Sequence, residues 1–340
     1  MKRTILYVVL AFIVAPIFVS CYQSHKKKLD LAYALVESRP DSALALMKHI
    51  DQEGLSKEEM AKYALTYYIA QDKSGLDVDN DSLIRIAYDW YEGHQEDSLY
   101  VLCLNYMGKF YLLVDSMEQA KSCLEKAYFI SDSLHKMNVK RLVLDKLIEV
   151  EEQLEPYKAL RYAKDMLKMY DSMANVTIYN KVAARLRLGE NFFYVGSLQH
   201  ALEEERKAYR MAMKAGDSNL LSYVRQNLAS TFEEMGEKDS CLYYARLAYD
   251  LNAANRFSCL LTFASAYISV DSLNQAFSLL NQALPKTAED RYSVFYFQSQ
   301  AAMKAQDFKS AKSFSDSAYH YLEDMYRTAL QGKAAYYTSF

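Results

Sequence analysis

The sequence predicts an all-α chain, a solenoid of about eight stacked helical hairpins. Three observations lead there. Turn-makers and helix-breakers are scarce, with 9 Gly and 4 Pro in 340 residues, so few positions demand positive φ and few helices are interrupted. One phrase is written twice: VDSMEQAKSCLEKA over 114–127 and VDSLNQAFSLLNQA over 270–283 share Val, Asp, Ser, Gln, Ala, Ser, Leu and Ala in the same places. Small residues also recur at long range. Ala120, Ala159, Ala201, Cys241, Ala276 and Ala311 stand roughly 35 to 42 residues apart, the period of a repeat made from one helix pair.

The N-terminus is a separate element. MKRTILYVVLAFIVAPIFVSC opens on Lys2 and Arg3, runs apolar from Ile5 to Val19 and ends on Ser20 and Cys21. A basic start, a short apolar stretch and a small-residue end read as a secretory signal over 1–20. The run contains Pro16 and is short for a membrane span. Phe18-Val19-Ser20-Cys21 resembles the lipobox of bacterial lipoproteins, with Phe18 where Leu is preferred. That resemblance implies that Cys21 becomes the lipid-modified first residue, carrying palmitate-type chains. Residues 21–28 follow as a membrane-proximal linker, in which Lys26 to Lys28 complement anionic headgroups.

The hairpins are then read in order. The stretch 29–50 turns at Pro40-Asp41, and the stretch 58–93 carries an enlarged loop from Asp72 to Asp81. Asp77, Asp79 and Asp81 in that loop do not make a calcium site, because Ser82 stands where Gly is required and Tyr88 where a bidentate Glu is required. The next copy supplies Gly108, Tyr111, Ala120, Leu124 and Ala127, and a degenerate one surrounds Ala159. Gly189, Phe192, Gly196, Ala201 and Ala208 mark another; Ala229, Phe232, Gly236, Cys241 and Ala248 the next. Ala264, Tyr267, Ala276, Leu280 and Ala283 follow, and Ala311 and Ala318 mark the last. The array fills 29–322, and 323–340 reads as one more helix that caps it.

Residues three, four and seven apart share a helix face. Small residues on helix B therefore meet helix A and let the axes approach closely. The aromatic and large residues fill the space beside the contact. One hairpin cannot bury both of its faces, so the next must stack on it. Asp-Ser recurs near the turns. Asp41, Asp115, Asp239 and Asp271 precede a helix B, Asp97 and Asp217 a helix A, and all are expected to cap.

The pattern of Gly108, Tyr111, Ala120, Leu124 and Ala127, and of its copies, resembles the tetratricopeptide repeat. The resemblance implies a tetratricopeptide-like α-α superhelix, right-handed, whose helix A lines a concave groove. The matching groove positions are Asn105, Lys109, Glu190, Phe193, Tyr194, Tyr223, Gln226, Ser230, Glu233, Tyr296 and Gln300. The basic clamp that some members use for carboxylate tails is absent, with Ser258 and Thr262 in its place. From Cys21 onward the chain is similar to the tetratricopeptide lipoproteins and membrane sensors of Gram-negative gut anaerobes, notably in ALVESRPDSALALM over 34–47.

Composition excludes several function classes. Net charge is −3 with no long basic run in the body, so no nucleic-acid footprint is visible. There is no GxSxG, HExxH or P-loop, and the six His are scattered. Glu203, Glu204 and Glu205 read as a solvated helix face. Cys103, Cys123, Cys241 and Cys259 form no CxxC and read as buried free thiols. No cofactor, metal or catalytic role is expected. The expected function is a lipid-anchored, periplasm-facing scaffold or sensor for a protein or peptide in the cell envelope. The alternatives are a glycan-binding lipoprotein of a polysaccharide-utilisation system, or the sensory part of a transcription-regulatory system whose output domain is not in this sequence. With one Trp and one enlarged loop, the glycan platform is the poorer fit.

Overall fold

The structure, a computed structural model, describes residues 26–76, 81–94, 98–134, 137–251 and 253–338, with side chains 138 and 329–338 left out of the description. The signal segment 1–20, Cys21, Asp97 and most of the 77–81 loop lie outside it. Every regular element among the described residues is an α-helix. These are α1 (26–35), α2 (Pro40–Met47), α3 (Lys57–Lys73), α4 (Ser82–Tyr91), α5 (Ser98–Leu113), α6 (Met117–Ser133), α7 (Met137–Leu154) and α8 (Pro156–Ser172). They continue as α9 (Ile178–Tyr194), α10 (Leu198–Ala215), α11 (Ser218–Glu234), α12 (Lys238–Tyr249), α13 (Arg256–Ser269), α14 (Leu273–Leu280), α15 (Ala288–Lys304) and α16 (Phe308–Thr338). Odd-numbered helices are helix A of a hairpin and even-numbered ones helix B. The chain divides into two compact units, to Lys146 and from Leu147, the division falling within α7. In the first, α3 packs on α4 and α5 on α6, with α4 against α5. In the second, α9–α10, α11–α12, α13–α14 and α15–α16 pair, and α9, α11 and α13 each touch the next helix A.

The expected small anchors are where the helices meet. Ala120, Ala159, Ala201, Cys241 and Ala276 are fully buried and Ala311 is 3% exposed. Cys103, Cys241 and Cys259 are buried free thiols and Cys123 is partly buried. Burial pushes the Cys123 thiol up to about 11 and that of Cys241 up to about 12, leaving both as inert packing groups.

Three boundaries differ from the sequence expectation. Residues 26–28, read as linker, are already helical in α1. α14 stops at Leu280, short of Ala283, because Pro285 cannot continue a helix and keeps Leu284 out of helical backbone. The tail 323–338 is no separate cap; it continues α16 without a break.

The turns correct a second expectation. Asp115 and Asp271 do not cap helix B. They stand at the left-handed position that ends helix A, with φ 53° and 61°. Gly75, Gly196, Gly236 and Gln306 take the same place in their hairpins. After it the chain closes a Schellman pair, as in Asp115 N–H to Leu112 O (3.1 Å) and Ser116 N–H to Tyr111 O (2.8 Å). Asp41 and Asp239 lie inside the first turn of α2 and α12. Most side-chain caps belong to helix A instead: Ser56, Thr177, Asp217 and Thr287 each accept from a backbone N–H three residues on, as Asp307 does for α16.

A third correction concerns the Glu203–Glu205 run, which is not a solvated face. Glu204 is 9% exposed and binds Arg185 (2.8 Å) and Lys207 (2.5 Å). Glu205 is 1% exposed and stands where the α5–α6 hairpin carries Leu124. A Cβ built on Gly108 would lie 2.6 Å from Leu124 Cγ, and one on Gly189 3.2 Å from Glu205 Cγ. Thr231 Oγ1 donates to Glu205 Oε1 (2.7 Å), while Oε2 has no hydrogen-bond partner among the described residues. Burial, against the pull of the Thr231 bond and reinforced by nearby Glu190, raises the Glu205 carboxyl to about 7.

Three outcomes follow. Gly108→Ala loses about 1 kcal/mol or more, because the clash with a fully buried Leu exceeds the helix-propensity gain; a lowered urea midpoint checks it. Gln306→Gly gains about 1 kcal/mol by relieving left-handed backbone at an exposed site, read as a raised thermal midpoint. Glu205 holds its proton in the fold to about 7 against an ordinary 4.5, so the unfolded chain releases it first as pH rises. Stability therefore falls by about 3 kcal/mol between those two values and levels off above the folded one. Urea midpoints of wild type and Glu205→Gln, measured from pH 4.5 to 8, should differ in slope over that window.

Candidate functional site

Within each unit helix A of one hairpin lies beside helix A of the next, and its side chains must either bond across that seam or face outward. The seam is a polar ladder with a direction: acceptor on the earlier helix, donor on the later. In the first unit Lys62 binds Asp30 (2.6 Å), Lys73 binds Glu37 (2.9 Å) and Lys109 binds Asp72 (2.5 Å). In the second unit Asn191 Nδ2 donates to Glu152 Oε1 (2.9 Å), Asn227 Nδ2 to Glu190 Oε1 (2.9 Å) and Ser265 Oγ to Glu233 Oε1 (2.7 Å). Lys304 ends the row on Ile268 O (2.6 Å) and Asp271 (3.0 Å). Two bonds run the other way, from Gln226 to Ser258 and from Ser222 to Asn255.

Around the first two rungs of the second unit lies a charged cluster. Arg187 Nη1 is 3.6 Å from Glu152 and 3.7 Å from Glu190. Burial raises the Glu152 carboxyl above the usual carboxylate range; Arg187 and Asn191 oppose this, and Glu190 and Glu149 add to it. Burial also raises the Tyr194 phenol, with Glu152 and Glu190 pushing the same way and Arg187 opposing them. Asn191 is 1% exposed, and its Oδ1 has no donor among the described residues.

The structure sorts the expected groove residues into two kinds. Tyr194 (58%), Tyr223 (46%) and Tyr296 (43%) are exposed on α9, α11 and α15, and Gln300 is exposed beside the last. Phe193 is half-buried, edge-on to Tyr194 at 6.1 Å. The others serve the seam or themselves. Lys109, Glu190 and Glu233 are rungs. Gln226 also accepts from Asn255 (3.0 Å), and Ser230 Oγ bonds back to Gln226 O (3.2 Å). Asn105 is 5% exposed, so it is a core residue and not a groove residue. Asn105 and Lys109 belong to the first unit and the rest to the second. Sequence reasoning missed Glu152, Arg187, Asn191 and Asn227. Their signal was available: an Asn well inside a helix is unfavourable unless its amide has a use there.

No family model matches the chain, and no curated protein matches it. Solved structures do. The apo form of RapI has 13% identity and a TM-score of 0.66 over 88% of this chain and 86% of that one. NprR in complex with its cognate peptide NprX has 15% identity and a TM-score of 0.59 over 85% and 86%. A signal transduction ATPase from Pyrococcus horikoshii with a tetratricopeptide repeat sensor has 13% identity and a TM-score of 0.61 over 90% of this chain and 47% of that one. At such identities the likeness speaks for the fold alone. Joined to the hairpin packing, it makes this chain an all-α, tetratricopeptide-like helical repeat protein.

Proposed function

We propose that this chain is a non-enzymatic scaffold or sensor of the cell envelope, held to the membrane by lipid on Cys21, which binds a protein or peptide along its helix-A face. One observation carries the binding half: Tyr194, Tyr223 and Tyr296 stand exposed on helices whose polar side chains are bonded to one another. Tyrosines on such a bed offer broad amphipathic contact and lose little conformational freedom on binding. The similarity to NprR, whose structure holds its cognate peptide, supports the same reading. The anchoring half rests on the sequence of residues 1–21. No helix of the described residues is long and apolar enough to cross a membrane.

Two measurements test the two halves. Alkyne-palmitate labelling should mark the wild-type chain, and Cys21→Ala should lose both the label and the membrane fraction; an unlabelled wild type ends the anchor reading. Crosslinking in intact cells, beside a glycan array, should recover a protein or peptide partner that the Tyr194→Ala/Tyr223→Ala variant retains at about a tenth or less of the wild-type level. Glycan binding with no polypeptide partner would reverse the assignment.

A further inference from the structure

The two units use the same seam with different donors. In the first, each carboxylate of the ladder meets a lysine, so its charge is cancelled. In the second, Glu152, Glu190 and Glu233 receive neutral donors, Asn191, Asn227 and Ser265. A carboxamide satisfies a lone pair and leaves the charge in place. Arg187 is the one cation within ion-pairing distance of Glu152 and Glu190 among the described residues. Glu152 and Glu190 are thus two carboxylates sharing one cation, which leaves a surplus of negative charge between them.

Two further features point to an occupant. Tyr194, one helical turn on from Glu190 on α9, is 58% exposed and sets an open aromatic ring beside that carboxylate. Next to Glu190 on α9 the buried Asn191 gives its N–H to Glu152 and to Arg187 O (2.8 Å), and its Oδ1 has no donor among the described residues. Carboxylates, an exposed aromatic ring and a buried carbonyl without a donor are together the complement of a guanidinium or ammonium group. A neutral or acidic segment would leave the surplus charge desolvated without compensation.

We propose that this patch, Glu152, Glu190, Asn191 and Tyr194, takes an arginine or lysine side chain of an extended peptide, which makes the ligand of the helix-A face a cationic one. The inference rests on the peptide-binding reading above and names the chemistry of its ligand.

The probe is a random hexapeptide library on beads, selected against the full mature chain. Selected peptides are resynthesised and measured by fluorescence polarisation. Enrichment in Arg or Lys is expected. Replacing that Arg by citrulline, or that Lys by Gln, should weaken binding about tenfold or more, with binding that falls as salt rises. Glu152→Gln/Glu190→Gln should cause a similar loss with the parent peptide and no further loss with the neutral one. Tyr194→Ala, at an exposed position that folding does not need, should weaken the cationic peptide several-fold and serves where the double variant fails to fold. Binders with no cationic preference, or cationic binders indifferent to these substitutions, overturn the inference and leave peptide binding standing. No binder at all overturns both.

Discussion

Two helices can cross closely only where neither carries a bulky side chain, and each hairpin of this chain is organised around that restriction. Gly108 has no room for a methyl group against Leu124, and Gly189 little against Glu205 and the Ala201 carbonyl. With the crossing closed, side chains on either side of it are buried and the far faces of both helices remain apolar. A pair with two apolar faces cannot be a finished object, so within each unit one hairpin covers the next. The core cluster of the second unit shows the result: Leu202, Ala208, Leu220, Val224, Phe232, Cys241, Ala245 and Phe263 form one continuous body running through successive hairpins.

Stacking of this kind imposes a problem of its own. It sets helix A beside helix A along a seam where long polar side chains are partly desolvated, and such groups are costly unless bonded. The ladder answers this, and its prevailing direction gives α3, α9, α11 and α13 each an acceptor for the next helix A and a donor for the one before. Glu190 and Asn191 on α9 are neighbours in sequence and face opposite helices for that reason. A bonded seam is also rigid. The exposed tyrosines thus stand on a surface with little freedom of its own, which is the condition under which aromatic contacts give affinity.

How far the sequence could be read follows from which forces leave a local mark. Close packing does: it demands Ala or Gly at fixed intervals, so Ala120, Ala201 and Ala276 were legible, and the all-α stack with them. Termination by proline was equally visible in Pro285, yet the helix was carried to Ala283, past its end at Leu280. Capping was legible only in part. Asp before a helix is a genuine signal, as Asp217 shows by accepting from Leu220 N–H at 3.0 Å. Asp115 and Asp271 answer to a different demand of the same turn, a left-handed backbone that Asp tolerates better than most residues. Groove positions were the least legible. Whether Glu190, Gln226 or Glu233 faces a ligand or a neighbouring helix depends on a partner about 30 or more residues away, and repeat spacing carries no record of it.

Glu205 shows the same limit from the opposite side. Three consecutive glutamates look like one solvated surface, but on a helix successive residues point about a quarter-turn or more apart. Glu203 is exposed, Glu204 is clamped by two cations, and Glu205 occupies a packing position that the pattern assigns to a large apolar residue. The position tolerates a carboxyl because Gly189 leaves room for its stem and Thr231 offers a hydroxyl donor. Burial then does what it does to any acid with a single neutral partner, and favours the protonated form. The hairpin that supplies Glu190 and Asn191 to the helix-A face is thus also the one closed by a group that gains charge near neutrality. Its packing energy depends on a proton, where that of the α5–α6 hairpin, closed by Leu124, does not.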